Sequence, residues 1–321
     1  MDRRSSAFSR SILVRTPFSS RVLGALTIAL AVTPSLRAQG TLQSALHSRF
    51  EAELTRTAER LNGVMGYAVK DLSSGETFSR LADTVFPQAS SIKLTVLLEL
   101  MRQAQEGKLS LEEEHALRRS EMTVGDTEPI LTMLGDGTVT LSLRDLAIFM
   151  VVLSDNTATN ILIDRLGMDN INEGVMRLGL KETKLRRHMI DLEAARKGNE
   201  NVSTPREMLT LIEKVHSGSV LDAAHTKEYF DLLRLPKASE FHKALPEDVS
   251  IADKPGFLEG VRCDTGLVEI PGHPFMMSIA TAYNANDNDG ERAVEDAARL
   301  VYDYFSRLSR SSSYGRVISF K

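Results

Sequence analysis

The hydrophobic period changes four times along this chain, and the order of those changes limits the fold. Residues 41–61 repeat apolar side chains every three or four positions, which is typical of an amphipathic helix. Two strand-like segments, 64–70 and 77–81, then flank the turn Ser73-Ser74-Gly75-Glu76 and predict a β-hairpin. The elements predicted after it are helices at 90–105, 143–153, 157–166, 170–178, 205–215 and 221–233, strands at 249–252, 266–270 and 275–282, and a helix at 291–308.

Strands at both chain ends with helices between them favour one fold class. We predict an α/β (α+β) fold in which an antiparallel sheet, flanked by helices and built from both chain ends, carries an inserted all-helical lobe. The domain is expected over 39–308, and a Ser-rich tail follows at 309–321. The sheet lobe is expected at about 42–85 and 248–308 and the helical lobe at about 86–247, with a binding cleft between them.

The N-terminus has the pattern of a secretory signal peptide. Five arginines precede a run of eleven uncharged residues, 22–32, which as a helix is roughly 16 Å long and about half the thickness of a bilayer. Pro34 and the small residue Ala38 follow, so we predict a signal peptide at 1–38 and a secreted or periplasmic protein. The alternative is a surface amphipathic helix, which is disfavoured because the run has no polar face.

Charge and cysteine content exclude several classes of function. Without residues 1–38 the chain keeps 33 basic and 42 acidic side chains, a net charge of −9 that gives no reason to bind nucleic acid or anionic lipid. Cys263 is the single cysteine, and the seven histidines form no His-x-x-x-His pair, so neither a disulfide framework nor a metal site is expected. The absence of a Gly-x-Ser-x-Gly motif disfavours an α/β-hydrolase, and the absence of a phosphate loop disfavours nucleotide use. No cofactor is predicted.

Ser90 and Lys93 form the single Ser-x-x-Lys motif and open a predicted helix. Residues three apart share a helix face, so the lysine amine can reach the serine hydroxyl. Serine becomes a strong nucleophile when a neighbour accepts its proton, and a lysine that burial has deprotonated can do so. The spacing alone can also arise by chance in a chain of this length.

Two further short motifs combine polar side chains with special backbone residues. Ser154-Asp155-Asn156 joins two predicted apolar helices, where it can aim a hydroxyl and an amide into a cleft or simply cap the second helix. Lys254-Pro255-Gly256 is expected to begin a strand, and the proline favours a sheet edge that can offer backbone groups to an extended substrate. A plain entry into a strand is the alternative.

In this order and spacing, the three motifs resemble those of the class A β-lactamases, a family of penicillin-recognising serine hydrolases. Phe86-Pro87 before the first motif and Thr157-Ala158-Thr159-Asn160 after the second add to the resemblance, which extends over most of residues 42–308. The resemblance implies that Ser90 attacks the lactam carbonyl, Lys93 accepts its proton and Ser154 passes a proton to the leaving nitrogen.

The resemblance also implies a set of substrate-binding residues. Asn156 would hold the side-chain amide of the substrate, and Lys254 would attract its carboxylate. Gly256 belongs to the same strand, and the N–H groups of Ser90 and Phe257 would form the oxyanion hole. Arg262 would supply a second cation for the carboxylate, with a surface arginine as the alternative interpretation.

Two departures from the family pattern are visible. Pro255 stands where the family has a threonine or serine hydroxyl that binds the substrate carboxylate. Met189 stands where the family has the glutamate that activates the deacylating water, and a thioether accepts no proton from water. Asp191 and Glu193 follow Met189 closely and are the candidate deacylation bases if the loop that carries them is shifted. The alternative is that both are solvated loop carboxylates.

The sequence thus predicts a monomeric enzyme that hydrolyses a small β-lactam through an acyl-serine. A second prediction is a D-Ala-D-Ala peptidase or esterase on the same fold, acting on a peptidoglycan-like peptide. A third is a penicillin-binding protein that is acylated and not efficiently released. No contact with a membrane is expected after removal of the signal.

Overall fold

The computed structural model describes residues 34–123, 139–312 and 314–318, with the backbone alone over 34–41. Most of the predicted signal peptide lies outside the described residues. The predicted cleavage position after Ala38 falls inside the first helix, α1 (Pro34–Arg60), which begins earlier than the periodicity indicates. No helix in the described part of the chain has the length and apolarity needed to cross a bilayer.

The nine described strands form one large sheet and two short ladders. In chain order they are β1 (Val64–Asp71), β2 (Thr77–Arg80), β3 (Phe86–Pro87), β4 (Glu114–Ala116), β5 (Thr140–Ser142), β6 (Val202–Ser203), β7 (Ser250–Leu258), β8 (Val261–Glu269) and β9 (Phe275–Ala282). The large sheet is antiparallel with the order β2-β1-β9-β8-β7. The predicted sheet built from both chain ends is therefore confirmed.

The remaining elements are mostly helical. After α1 they are α2 (Lys93–Gln105), α3 (Leu143–Val152), α4 (Asn156–Leu166), α5 (Met168–Arg177), α6 (Leu192–Arg196), α7 (Pro205–His216), α8 (Ala223–Leu233), α9 (Glu240–Ala244) and α10 (Asp287–Ser309). The ladders β3–β6 and β4–β5 interrupt the lobe that was predicted to be all-helical. Their strands are only two or three residues long, which is too short to leave a period-2 pattern in the sequence.

Helices cover both faces of the large sheet. Side chains of α1 and α10 pack on one face, where they form a core with residues such as Phe50, Leu54, Val301 and Phe305. The helical lobe has a separate core centred on α2, in which every residue from Lys93 to Met101 is buried. A helix buried on all sides lies at the centre of its lobe, so the Ser-x-x-Lys motif stands at the start of the central helix.

Strand β7 is the edge of the sheet and differs from its predicted bounds. The sequence predicts a strand at 249–252 and a new start at Lys254, whereas one strand runs through Lys254, Pro255 and Gly256. Proline interrupts the apolar pattern but is tolerated on an edge strand, where its missing N–H breaks no ladder bond. The third motif therefore lies along the edge strand of the sheet rather than at the entry to a strand.

Candidate active site

Ser90 lies in a strained turn that leads into α2. Residues Ala89–Ile92 form a short 3₁₀ helix, in which side chains at positions i and i+3 eclipse each other. That geometry brings Lys93 to the same side as Ser90. Ala89 has φ +45°, in the left-handed region that side chains other than glycine rarely adopt. Such strain is typical of backbone that holds a functional side chain.

Lys93 is 1% exposed and connects the first motif to the second. Its Nζ lies 2.6 Å from the carbonyl oxygen of Ser154, 3.0 Å from Oδ1 of Asn156 and 3.2 Å from Oγ of Ser154. In each of these contacts Nζ of Lys93 donates a hydrogen bond to an oxygen. Lys93, Ser154 and Asn156, which the sequence assigns to one site, are thus within hydrogen-bond reach of each other.

Ser154 is held by a loop with its own strained residue and cap. Its φ is +55°, and the next residue, Asp155, is the N-cap of α4. The Asp155 carboxylate accepts a 2.8 Å hydrogen bond from the N–H of Ala158, so the predicted capping role is observed. The cap fixes where α4 begins, which places Asn156 in the first turn of the helix and Ser154 just before it.

Lys254 reaches the same hydroxyl from the opposite wall. Its Nζ lies 3.1 Å from Oγ of Ser154 and 3.0 Å from the carbonyl oxygen of Pro255. Because the side chain is fully buried, removal from water lowers the pKa of Lys254 to about 8. Lys254 therefore loses its proton more easily than an ordinary lysine, but it is still mostly cationic at pH 7.

Gly256 lets strand β7 approach the Ser90 turn closely. A Cβ at this position would lie 2.6 Å from the carbonyl oxygen of Gln88 and 2.8 Å from the amide nitrogen of Ser91. The hydroxyl of Ser91 donates a 2.9 Å hydrogen bond to the carbonyl of Lys254 and fastens the two segments together. The glycine is thus required by a close backbone approach, not by a turn.

These side chains surround a cleft of about 450 Å³. Seven predicted site residues line it: Ser90, Ser154, Asn156, Lys254, Gly256, Phe257 and Arg262. Lys93 lies below its floor and contacts it through Ser154 and Asn156. The cleft therefore collects groups from three remote segments of the chain.

Arg262 is buried at one end of the cleft and is not a surface arginine. It is 9% exposed, and its guanidinium carbon lies 3.6 Å from the centroid of the Phe257 ring. Its nitrogens lie 3.5 Å from Oε1 of Glu240 and 3.7 Å from Oε2 of Glu291. Two carboxylates therefore already balance the charge of this side chain.

Met189 faces the cleft, whereas the two carboxylates after it do not. Met189 is 7% exposed and lines the cleft. Asp191 caps α6 through a 2.9 Å bond from the N–H of Ala194, and Glu193 pairs with Lys197 on the surface at 2.6 Å. Neither Asp191 nor Glu193 is among the described residues that line the cleft.

The loop that presents Met189 is fixed by side chains to which the sequence analysis assigned no role. Asn160 accepts a 2.8 Å bond from the Met189 N–H and donates a 3.2 Å bond to its carbonyl. Arg187 pairs with Glu200 at 2.6 Å. The signal that could have found these roles is contact across the fold.

The fold is that of the β-lactamases and penicillin-binding proteins, and the comparisons with known proteins agree. Residues 49–305 match the model of the β-lactamase enzyme family, and this match spans more than half of the chain. The chain belongs to this family of enzymes.

Relatives and solved structures are similar over most of their length. The chain is 26% identical over 260 residues to an imipenem-hydrolyzing β-lactamase of Enterobacter cloacae, which covers 78% of this chain and 88% of the relative. A mutant of PBP-A, solved as its acyl-enzyme complex with penicillin G, has a TM-score of 0.73 at 26% identity, with 81% of this chain and 97% of that chain covered. A β-lactamase from Sphaerobacter thermophilus has a TM-score of 0.73 at 26% identity, with 79% and 97% covered.

Proposed function

We propose that this enzyme opens β-lactam rings through an acyl-enzyme formed on Ser90. One observation carries the proposal: Nζ of Lys93 and Nζ of Lys254 lie 3.2 and 3.1 Å from the same oxygen, Oγ of Ser154, in the cleft that Ser90 lines. This arrangement supplies a path for a proton between the attacking hydroxyl and the opposite wall of the cleft.

The proposed proton path starts at Ser90 and uses the contacts between Lys93 and Ser154. The three hydrogen bonds of Lys93 each use one N–H, so the side chain must first lose one of these protons to solvent. The lone pair of the resulting neutral amine takes the proton of Ser90 while the Ser90 oxygen attacks the carbonyl carbon. The carbon–nitrogen bond of the lactam then breaks, and the nitrogen takes the proton of the Ser154 hydroxyl. Lys93 returns a proton to Ser154 across their 3.2 Å contact, so both residues regain the protonation states they had before the attack.

Negative charge on the carbonyl oxygen needs donors in the cleft. The backbone N–H of Ser90 at the start of α2 and that of Phe257 on the edge strand β7 are the proposed pair. Among the described strands β7 pairs with β8 alone, so alternate N–H groups on its outer side are available to a ligand. Each such donor lowers the barrier by about 3 kcal/mol in comparable sites.

Lys254 is the proposed anchor for the substrate carboxylate. Of the four cations that line the cleft, Arg187, Lys243 and Arg262 have carboxylate partners within 4 Å. Within the described part of the chain, Lys254 has none, and its hydrogen bonds go to neutral oxygens. A substrate carboxylate therefore completes the pairing of a buried cation.

A second function, acylation with slow release, is favoured by Met189. Its thioether lines the cleft at the position where the family resemblance expects a carboxylate, and it accepts no proton from water. Asp191 and Glu193 stay predicted bases that require a shift of the loop, because one caps α6 and the other pairs with Lys197. Cleavage of D-Ala-D-Ala peptides or esters is the third possibility on this site.

One experiment separates these possibilities. Purified enzyme is mixed with a chromogenic cephalosporin, and turnover and intact mass are followed together, with Ser90→Ala as the control. Steady turnover that Ser90→Ala abolishes supports the hydrolase, and an adduct on Ser90 that persists for hours supports slow release. If micromolar enzyme gives no turnover and forms no adduct, both functions are contradicted. Faster cleavage of D-Ala-D-Ala peptides than of the cephalosporin supports a peptidase.

Export is a separate part of the proposal. We expect residues 1–38 to direct the chain out of the cytoplasm and to be removed. N-terminal sequencing of the exported protein should begin at Gln39. A mature chain that retains the basic residues before position 22 would contradict a cleaved signal.

A further inference from the structure

Phe257 exposes an aromatic ring inside the cleft. Its side chain is 52% exposed, although the residue lies on β7 directly after Gly256 and lines the cleft. Apolar surface that is open in a binding cleft is removed from water when a ligand covers it. The ring is therefore available to contribute to substrate binding in addition to the backbone N–H of the same residue.

Arg262 covers one face of this ring and leaves the other face open. The two residues are directly opposite each other in the register of β7 and β8. The guanidinium carbon lies 3.6 Å from the ring centroid, which is close stacking for a cation over an aromatic face. Phe257 is half-exposed and lines the cleft, so ring surface that Arg262 does not cover stays open to a ligand there.

The guanidinium is itself paired with two carboxylates. Glu240, at the start of α9, and Glu291, in α10, contact it from two separate helices. Lys243 pairs with Glu291 and extends the same network. A cation bound by two carboxylates is poorly suited to bind a third from the substrate, but it is well suited to fix the orientation of the ring above it.

Pro255 extends the apolar surface. Side chains two apart on a strand point to the same face, so the pyrrolidine ring of Pro255 and the ring of Phe257 lie side by side on β7. Lys254 points to the other face and contacts Ser154. Because Lys254, Pro255 and Phe257 nevertheless all line the same cleft, a substrate whose carboxylate binds Lys254 can place the neighbouring ring substituent against Pro255 and Phe257.

We infer that Phe257 and Pro255 form an apolar platform for a planar substituent next to the substrate carboxylate, with Phe257 as the specificity-determining residue and Arg262 as its positioning residue. The inference rests on the proposed function, because the substituent belongs to a β-lactam that acylates Ser90. The enzyme then prefers β-lactams that carry an aryl group beside the carboxylate over those that carry a methyl group there.

Two matched pairs of cephalosporins test the platform. One pair differs by phenyl against methyl at the ring carbon beside the carboxylate, and the other by the same change on the acylamino side chain. The second-order rate of acylation is measured by intact mass for wild type, Phe257→Ala and Phe257→Tyr. Tyr283→Ala is the control, since Tyr283 is 86% exposed and does not line the cleft among the described residues.

The expected result is a change in selectivity. Phe257→Ala should lower the phenyl-to-methyl rate ratio of the first pair about tenfold, while Phe257→Tyr and Tyr283→Ala preserve it and the second pair's ratio is unaffected. An unchanged first ratio in Phe257→Ala overturns the inference, even where acylation proceeds. No acylation of wild type by any of the four compounds overturns the proposed function instead.

A double-mutant cycle tests the positioning role of Arg262. Arg262→Lys keeps the charge between Glu240 and Glu291 but removes the planar group that stacks on the ring. It should lower the first ratio in the wild-type background and have no further effect on that ratio when combined with Phe257→Ala. If Arg262→Lys slows both compounds of the pair equally, its role is structural only and the positioning role is overturned.

Discussion

Nζ of Lys254 lies 3.1 Å from Oγ of Ser154, although the two residues stand 100 positions apart in the sequence. The same oxygen is 3.2 Å from Nζ of Lys93. A hydroxyl oxygen has two lone pairs, so when both lysines donate to it, its own proton must point elsewhere. The remaining direction is the cleft, where a leaving nitrogen is expected to receive that proton.

Removal of the Ser154 hydroxyl should therefore slow acylation and leave the fold intact. We expect Ser154→Ala to lower the acylation rate about 100-fold, in the range found for a lost proton-transfer group. Ser217→Ala is a matched control, because Ser217 is an exposed residue at the end of α7. Stopped-flow acylation and a thermal melt separate the two effects. Equal rates for the two variants would contradict the relay.

The pH dependence of acylation should report Lys254. Burial lowers the pKa of Lys254 to about 8, so the side chain is charged below that pH and loses its charge as the pH rises through it. For a β-lactam with a carboxylate we expect the second-order rate to fall about tenfold for each pH unit above that value.

Two controls identify the titrating group. A methyl ester of the same lactam has no carboxylate to bind, so its rate should fall less steeply over the same range. Lys254→Arg should move the alkaline limb upward, because arginine stays charged throughout. A profile that is flat to pH 10 for the wild type would exclude Lys254 as the carboxylate anchor.

Gly256→Ala should disturb both stability and acylation. The new Cβ would lie 2.6 Å from the Gln88 carbonyl and 2.8 Å from the Ser91 amide, both of which are backbone atoms that cannot rotate away. The strand must then move away from the Ser90 turn, which we expect to cost about 1–3 kcal/mol of unfolding free energy. Acylation should slow at least tenfold, since the N–H of Phe257 moves with the strand. A variant with wild-type melting temperature and rate would show that the strand tolerates a wider gap.

Elements with strong local periodicity could be predicted from the sequence. Strand β9 has the predicted bounds, Phe275–Ala282, because a mostly apolar run of eight residues is bounded by turn residues. Helix α3 is also close to its prediction, since Ser142 caps it and an apolar stripe follows. The three motifs could be found because each combines reactive side chains within three or four residues.

Features that depend on contact across the fold could not be predicted. Pro255 hides the continuity of β7, because a break in the apolar pattern does not show whether the strand lies at an edge. Glu240 and Glu291 lie on different helices, and only the folded chain places both on Arg262. Asn160 holds Met189 across 29 residues, a relationship with no local signature.

Met189→Glu should accelerate release of the acyl group. The side chain at 189 lines the cleft, and Asn160 bonds both backbone groups of the residue, so a glutamate here is held where a thioether now lies. A carboxylate can take a proton from a water molecule while the oxygen of that water attacks the ester of Ser90. We expect the lifetime of the acyl-enzyme to fall at least tenfold, whereas Met189→Gln, of similar shape but unable to act as a base, should leave it unchanged. Intact-mass decay after removal of excess lactam gives both lifetimes.

Asp191→Asn and Glu193→Gln test the two neighbouring carboxylates by the same measurement. A longer lifetime of the acyl-enzyme in either variant would show that a shifted loop already presents that carboxylate as the base.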